Sequence, residues 1–123
     1  MYELQPTSES VSEAMKVIEP KGYQLLVAMP MIAEKTKGGF ITLDAERTRE
    51  GTASILGLVL KMGDQAYADT ERFPNGPWCK PGDVVMFKSY TGNRIKILGQ
   101  EFRLVNDDVI GAVVSDPSNI ERA

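Results

Sequence analysis

The last third of the chain constrains the fold most, because short apolar runs there are punctuated at close intervals by residues that turn the backbone. Pro81-Gly82 suits a type II turn, with proline at the second position and glycine at the third. Asp83 leads into Val84-Val85-Met86-Phe87, and Gly92-Asn93 marks the next turn. Ile95 and Ile97 alternate with polar residues, Gly99-Gln100 fits a two-residue hairpin loop beginning with glycine, and Phe102 and Leu104 alternate on the return. Asn106-Asp107-Asp108 turns the chain again before a last run from Val109 to Val114. Strands this short and this closely joined predict an all-β chain folded as a small, irregular barrel.

Two further strands precede this region. Ile18 to Ala28 is punctuated at its start by Pro20 and Gly22, and Tyr23, Leu25 and Val27 share one face. Leu26 and Ala28 are apolar as well, so this strand is expected to be buried on both faces. Ile55 to Met62 carries Leu56, Leu58, Leu60 and Met62 on one face. Between the two, from Met31 to Thr52, no periodicity is sustained. Charged stretches (Glu34 to Gly39, Asp44 to Glu50) flank an apolar island, Phe40-Ile41-Thr42-Leu43. A loop of this length in a small domain is usually functional or disordered; the alternative is that the island is a short strand packed on the barrel. A second irregular segment, Gly63 to Lys80, holds Phe73-Pro74-Asn75-Gly76-Pro77-Trp78, whose prolines exclude a central strand and whose Asn75-Gly76 favours a tight turn. Trp78 and Phe73 read as a plug for one end of the barrel, and Cys79 as a small thiol without chemistry. Residues 1–17 are polar and poorly patterned. Ser10 and Glu13 have the spacing of a capping box for a short helix to Val17, but a loose tail or single helical turn is the plainer expectation.

The chain has 123 residues, enough for one core. Residues 1–17 and 115–123 read as tails around a domain at 18–114. A net charge of −3 and no basic patch argue against nucleic-acid binding. The longest apolar run, Leu25 to Ala33, is interrupted by Pro30 and falls well short of the ~20 residues that span a bilayer. Met1 to Val17 has neither a basic start nor an apolar stretch of signal-peptide type, so a cytoplasmic protein is expected. There is no histidine and one cysteine, which removes the commonest general base and any Cys/His zinc site within one chain. No loop carries the spacing of a carboxylate calcium or magnesium site. The Asn106-Asp107-Asp108 cluster reads as a turn, since no third group beside it suggests acid–base work. No cofactor and no enzymatic activity are expected.

Taken in order, these segments resemble the GroES co-chaperonin family. Ile18-Glu19-Pro20 followed by Leu25-Leu26-Val27 resembles its first strand, and Gly38-Gly39 before Phe40-Ile41-Thr42-Leu43 resembles its mobile loop, where a Gly-Gly pair precedes a hydrophobic tripeptide. Gly57 to Gly63 resembles the strand after the loop, and Pro81-Gly82-Asp83-Val84-Val85-Met86-Phe87 its Gly-Asp-x-Val-x-Phe strand. Tyr90 and Gly92, then Glu101-Phe102-Arg103-Leu104 and Asp108-Val109-Ile110-Gly111, resemble the closing third. The four-residue island allows either Phe40-Ile41-Thr42 or Ile41-Thr42-Leu43 as the tripeptide, and Asp44 to Ser54 is longer than in the shorter bacterial members. The Phe73 to Trp78 segment is more similar to co-chaperonins carried by bacteriophages, which would imply a role in folding viral proteins in the host cytoplasm.

The resemblance implies a ring of seven that caps a GroEL-type chaperonin in its ATP or ADP state and encloses client proteins. Gly38, Gly39, Phe40, Ile41, Thr42 and Leu43 would contact the chaperonin, within a mobile loop of about residues 31–54. A roof-like segment of about residues 63–80 would bring Tyr67, Phe73, Asn75 and Gly76 towards the dome orifice or cage, with Tyr90 facing the interior. The strand near Leu25 and Val27 of one subunit would pair with the strand near Val113 of the next. Physical chemistry agrees: a charged loop with a small apolar centre suits a segment that folds on binding. One such loop binds weakly, and several on a ring gain strength by avidity. The rival reading is a viral structural or assembly module that uses the barrel only to oligomerise. A medium-chain alcohol dehydrogenase, which contains a similar barrel, is excluded by the missing GxGxxG motif and the lack of room for a nucleotide-binding domain.

Overall fold

A computed structural model describes residues 2–3, 9–32, 55–117 and 120. The fold is all-β apart from one short helix. In chain order the elements are β1 (Tyr2–Glu3), α1 (Glu9–Val17), β2 (Gln24–Ala28), β3 (Met31–Ile32), β4 (Leu56–Met62), β5 (Val84–Met86), β6 (Asn93–Ile97), β7 (Gln100–Asn106), a 3-10 turn (Asp107–Val109) and β8 (Ala112–Val114). Six strands form one antiparallel sheet in the order β6-β7-β2-β4-β5-β8, and β1 pairs separately with β3. Strand β2 is thus central. It pairs with β7 from Gln24↔Asn106 to Ala28↔Phe102 and with β4 from Leu25↔Met62 to Ala28↔Leu58.

The sheet has apolar side chains on both faces, which explains the unbroken apolar run of β2. Leu25 and Val27 join Val59, Val85, Val105, Phe87 and Ile110 in one core, together with Tyr67, Phe73 and Cys79 from the segment between β4 and β5. Leu26 and Ala28 point to the other face, where Leu58, Leu60 and Phe102 meet Val11 and Ala14 of α1. The N-terminal region is therefore a docked helix and not a loose tail. Val11 and Ala14, three residues apart on one helical face, are fully buried. Ser10 Oγ donates a hydrogen bond to Gln100 Oε1, and Gln100 Nε2 donates to the Met29 carbonyl at 3.0 Å. The sequence hides this because only two apolar residues of α1, Val11 and Ala14, face the sheet, while Met15 and Val17 are exposed.

Two register details also differ from the expectation. Met62 does not share a face with Leu58 and Leu60, because the β2–β4 register shifts between Leu26↔Lys61 and Val27↔Val59, leaving Leu60 as the extra residue. A one-residue bulge turns every side chain beyond it to the opposite face. Met62 consequently packs on the core of Leu25. The β6–β7 hairpin turns at Leu98-Gly99, not at Gly99-Gln100, since Ile97 pairs with Gln100. Both loop residues have positive φ, 49° and 83°, which is the type I′ geometry that matches the twist of the strands. The Pro81-Gly82 turn forms as expected: Gly82 has φ +96° and the Asp83 N–H donates to the Lys80 carbonyl at 3.1 Å. At the next connection the Thr91 N–H donates to the Lys88 carbonyl and Gly92 takes φ +81°.

Candidate functional site

The segment between β4 and β5 is built round Tyr67. Its hydroxyl donates to the Asp107 carbonyl at 2.8 Å and lies 3.4 Å from Cys79 Sγ, while its backbone N–H donates to Asp107 Oδ2 at 3.0 Å. These bonds compensate a positive φ of 60°, unusual for a residue with a side chain. Phe73 packs edge-on to both Tyr67 and Trp78, at centroid distances of 4.8 and 4.9 Å. Burial, then the bond to Cys79, pushes the Tyr67 hydroxyl far above its ordinary pKa, and burial likewise raises the Cys79 thiol. Both groups are neutral, so the cluster has the character of a core and not of a reactive site.

Of the roof residues expected from sequence, Tyr67 and Phe73 are 5% and 3% exposed. Neither presents its ring to solvent; each anchors the segment to the core. Trp78, read together with Phe73 as a plug, is 45% exposed, which corrects that reading for Trp78. The surface of the segment includes instead the exposed Asn75 and Trp78, with Gly76 partly buried between them. Asn75-Gly76 makes the expected turn, with the Gly76 N–H donating to the Phe73 carbonyl at 3.1 Å.

The interface residues also separate. Leu25 and Val27 are completely buried within their own chain, and β2 is paired along both edges. That strand has no free edge for a neighbour, which corrects its assignment to a subunit contact. Val113 differs: it is half exposed on β8, which among the described residues is an outer strand paired with β5. The chaperonin-contact residues Gly38, Gly39, Phe40, Ile41, Thr42 and Leu43 lie outside the described residues. Strand β3, at the start of that connection, is paired Tyr2↔Ile32 and Glu3↔Met31 with β1.

Tyr90 stands at the tip of the Lys88–Gly92 turn, the most exposed large hydrophobic residue among those described. Beneath it lies a feature that the sequence reading missed. Arg103, on β7, is 2% exposed and extends under the turn. Glu101 is its counter-ion at 2.7 Å and also receives the exposed Arg94 at 3.0 Å. Burial alone would raise the Glu101 carboxyl, but hydrogen bonds from Arg94 and Arg103 and their positive charges outweigh it, and its pKa lies below the ordinary value. The available signal was spacing: residues 101 and 103 share one face of a strand, so opposite charges there form a pair. Among the described residues no group of three metal-ligating side chains occurs, and no helix is long and apolar enough to cross a membrane.

Residues 17–114 match the family described as Chaperonin 10 Kd subunit. The chain belongs to that family. It is 34% identical to the co-chaperonin GroES of Aquifex aeolicus over 88 residues, which is 71% of this chain and 67% of the relative. Over 97 residues it is 28% identical to the co-chaperonin GroES of Clostridium beijerinckii, covering 79% of this chain and 97% of the relative. The Thermus thermophilus co-chaperonin GroES gives 27% over 107 residues, or 84% and 97%. The matched region takes in all of β2 to β8. It does not extend to α1, which falls almost wholly before the matched region.

Proposed function

We propose that this chain is the subunit of a homo-oligomeric ring, of seven copies, that caps a GroEL-type chaperonin in its nucleotide-bound state and assists the folding of enclosed client proteins. The observation that carries the reading is the family match across all of β2 to β8. Phe40, Ile41, Thr42 and Leu43, after Gly38-Gly39, are the anchors for the chaperonin, set in the charged connection between β3 and β4. The ring forms through the edge of β8 at Val113 that no other described strand pairs with, since an open strand edge is a template for pairing with another chain. Its counterpart on the neighbour is Ile18–Pro20, the stretch before the Lys21–Gln24 turn that lies outside the sheet of its own chain. A ring of identical contacts of this kind is heterologous and closes on itself. Asn75 and Gly76 lie at the roof and Tyr90 faces the cage. The protein works in the cytoplasm, and in a host's cytoplasm if a phage carries it.

The test pairs two measurements on the same variants. Ile41→Ser and Leu43→Ser each remove an anchor repeated in every subunit, so ATP-dependent capping collapses while melting temperature and ring mass stay at wild-type values. A large fall in thermal stability with capping retained would show that the island is a packed strand and not the contact.

A further inference from the structure

A buried guanidinium must be partnered on every side or it destabilises the fold. Arg103 meets that demand in an unusual way. Alternation along β7 puts it on the same face as Val105, which belongs to the core. Its Nε donates to Glu101 Oε2 at 2.7 Å, one terminal nitrogen donates to the carbonyls of Ser89 and Thr91 at 2.5 and 3.2 Å, and its guanidinium lies 5.8 Å from the centroid of the Phe87 ring. Those two carbonyls are the backbone groups on either side of Tyr90, whose side chain is 78% exposed. An exposed ring gains nothing from burial, so whatever orders it must come from below. Gly92 seats the foot of the turn, where a Cβ would stand 2.5 Å from the Leu104 carbonyl oxygen.

We propose that Arg103 is a positioning residue: it grips the backbone on both sides of Tyr90 from inside the core and so holds the Tyr90 ring out as a preordered contact for a client chain. The inference rests on the co-chaperonin reading above. A contact ordered in advance loses less entropy on binding, and tyrosine offers a large apolar area with few rotatable bonds. Lysine cannot replace the arginine, because a single ammonium does not reach Glu101 and both carbonyls in the same fork geometry.

The experiment uses Arg103→Lys, Arg103→Met, Tyr90→Ala and the double variant Arg103→Lys/Tyr90→Ala. In the free full-length protein, exchange of the Thr91 amide should accelerate at least tenfold in Arg103→Met while β2 amides keep their protection. With a GroEL-type chaperonin, ATP and a denatured client, Arg103→Lys and Tyr90→Ala should each lower refolding yield several-fold, and the double variant should fall no further than either. If Arg103→Lys costs the same factor with and without Tyr90, its role is structural only and the proposal is overturned. Unchanged Thr91 exchange overturns it equally. Failure of the wild-type protein to raise refolding yield would instead overturn the co-chaperonin reading, and the exchange data would then decide the grip on the turn by themselves.

Discussion

Truncating Val11 to alanine measures whether α1 is part of the fold. Val11 is completely buried against Leu26, Leu58 and Phe102 on the outer face of the sheet. The substitution deletes two methyl groups from that contact, worth roughly 1.6 kcal/mol at ~0.8 kcal/mol per buried carbon, and the cavity adds to this. A loss of about 2 kcal/mol is expected. For a domain of this size that lowers the melting temperature by about 8 °C. Val17, at the end of the same helix, is 60% exposed, and Val17→Ala should stay within about 0.5 kcal/mol of wild type. Urea unfolding followed by far-UV circular dichroism compares the two, with equal m-values showing that the same transition is observed. Because α1 precedes the region shared with the family, Val11→Ala should leave capping intact below its melting point. Two alanine variants with the same stability as wild type would refute the docking of α1.

Three further predictions concern the sheet. Leu98 adopts φ +49° in the type I′ loop with its side chain 64% exposed, so Leu98→Asn relieves backbone strain and should raise stability by about 1 kcal/mol in urea melts; a loss of that size would contradict the loop assignment. Leu25→Ala should cost about 3 kcal/mol of fold stability, whereas Val113→Asp should dissociate the ring in sedimentation velocity without unfolding the subunit; the reverse pattern would restore β2 as the interface. The lowered Glu101 carboxyl contributes stability that is present above the unfolded-chain value of 4.5 and is lost as pH falls through the folded value. Glu101→Gln should therefore flatten the stability curve below pH 4.5, and parallel curves for the two proteins would rule out the Glu101 pairs with Arg94 and Arg103 as the cause.

What the sequence disclosed was what period and turn chemistry encode. The double-sided burial of β2, the Pro81-Gly82 and Asn75-Gly76 turns and the all-β class followed from residues acting on their neighbours. Met62 was misplaced because a bulge at Leu60 is set by pairing with β2, not by any residue within β4. The hairpin loop was misread by one residue because Leu98, a poor candidate for positive φ, is forced there by the register Ile97↔Gln100. Helix α1 carries too few apolar residues to announce itself; its burial depends on a sheet face assembled from distant segments. The candidate site divides the same way. Val113 and Tyr90 were singled out through the family resemblance, and both are exposed in the structure. Tyr67 and Phe73 were placed at the roof by the family resemblance, yet hydrogen bonds to Asp107 fold Tyr67 inward and Phe73 packs edge-on against it. Of the partners of Arg103, the spacing displayed Glu101 alone; the carbonyls of Ser89 and Thr91, which tie it to the turn, leave no mark in a sequence pattern.

The central claim is tested most directly by native mass spectrometry of the full-length chain mixed with a GroEL-type chaperonin, with and without ATP. The account predicts a ring of seven 13.5 kDa subunits that joins the chaperonin as a unit only when nucleotide is present. A chain that stays monomeric at micromolar concentration, or a ring that ignores the chaperonin in both conditions, would contradict it.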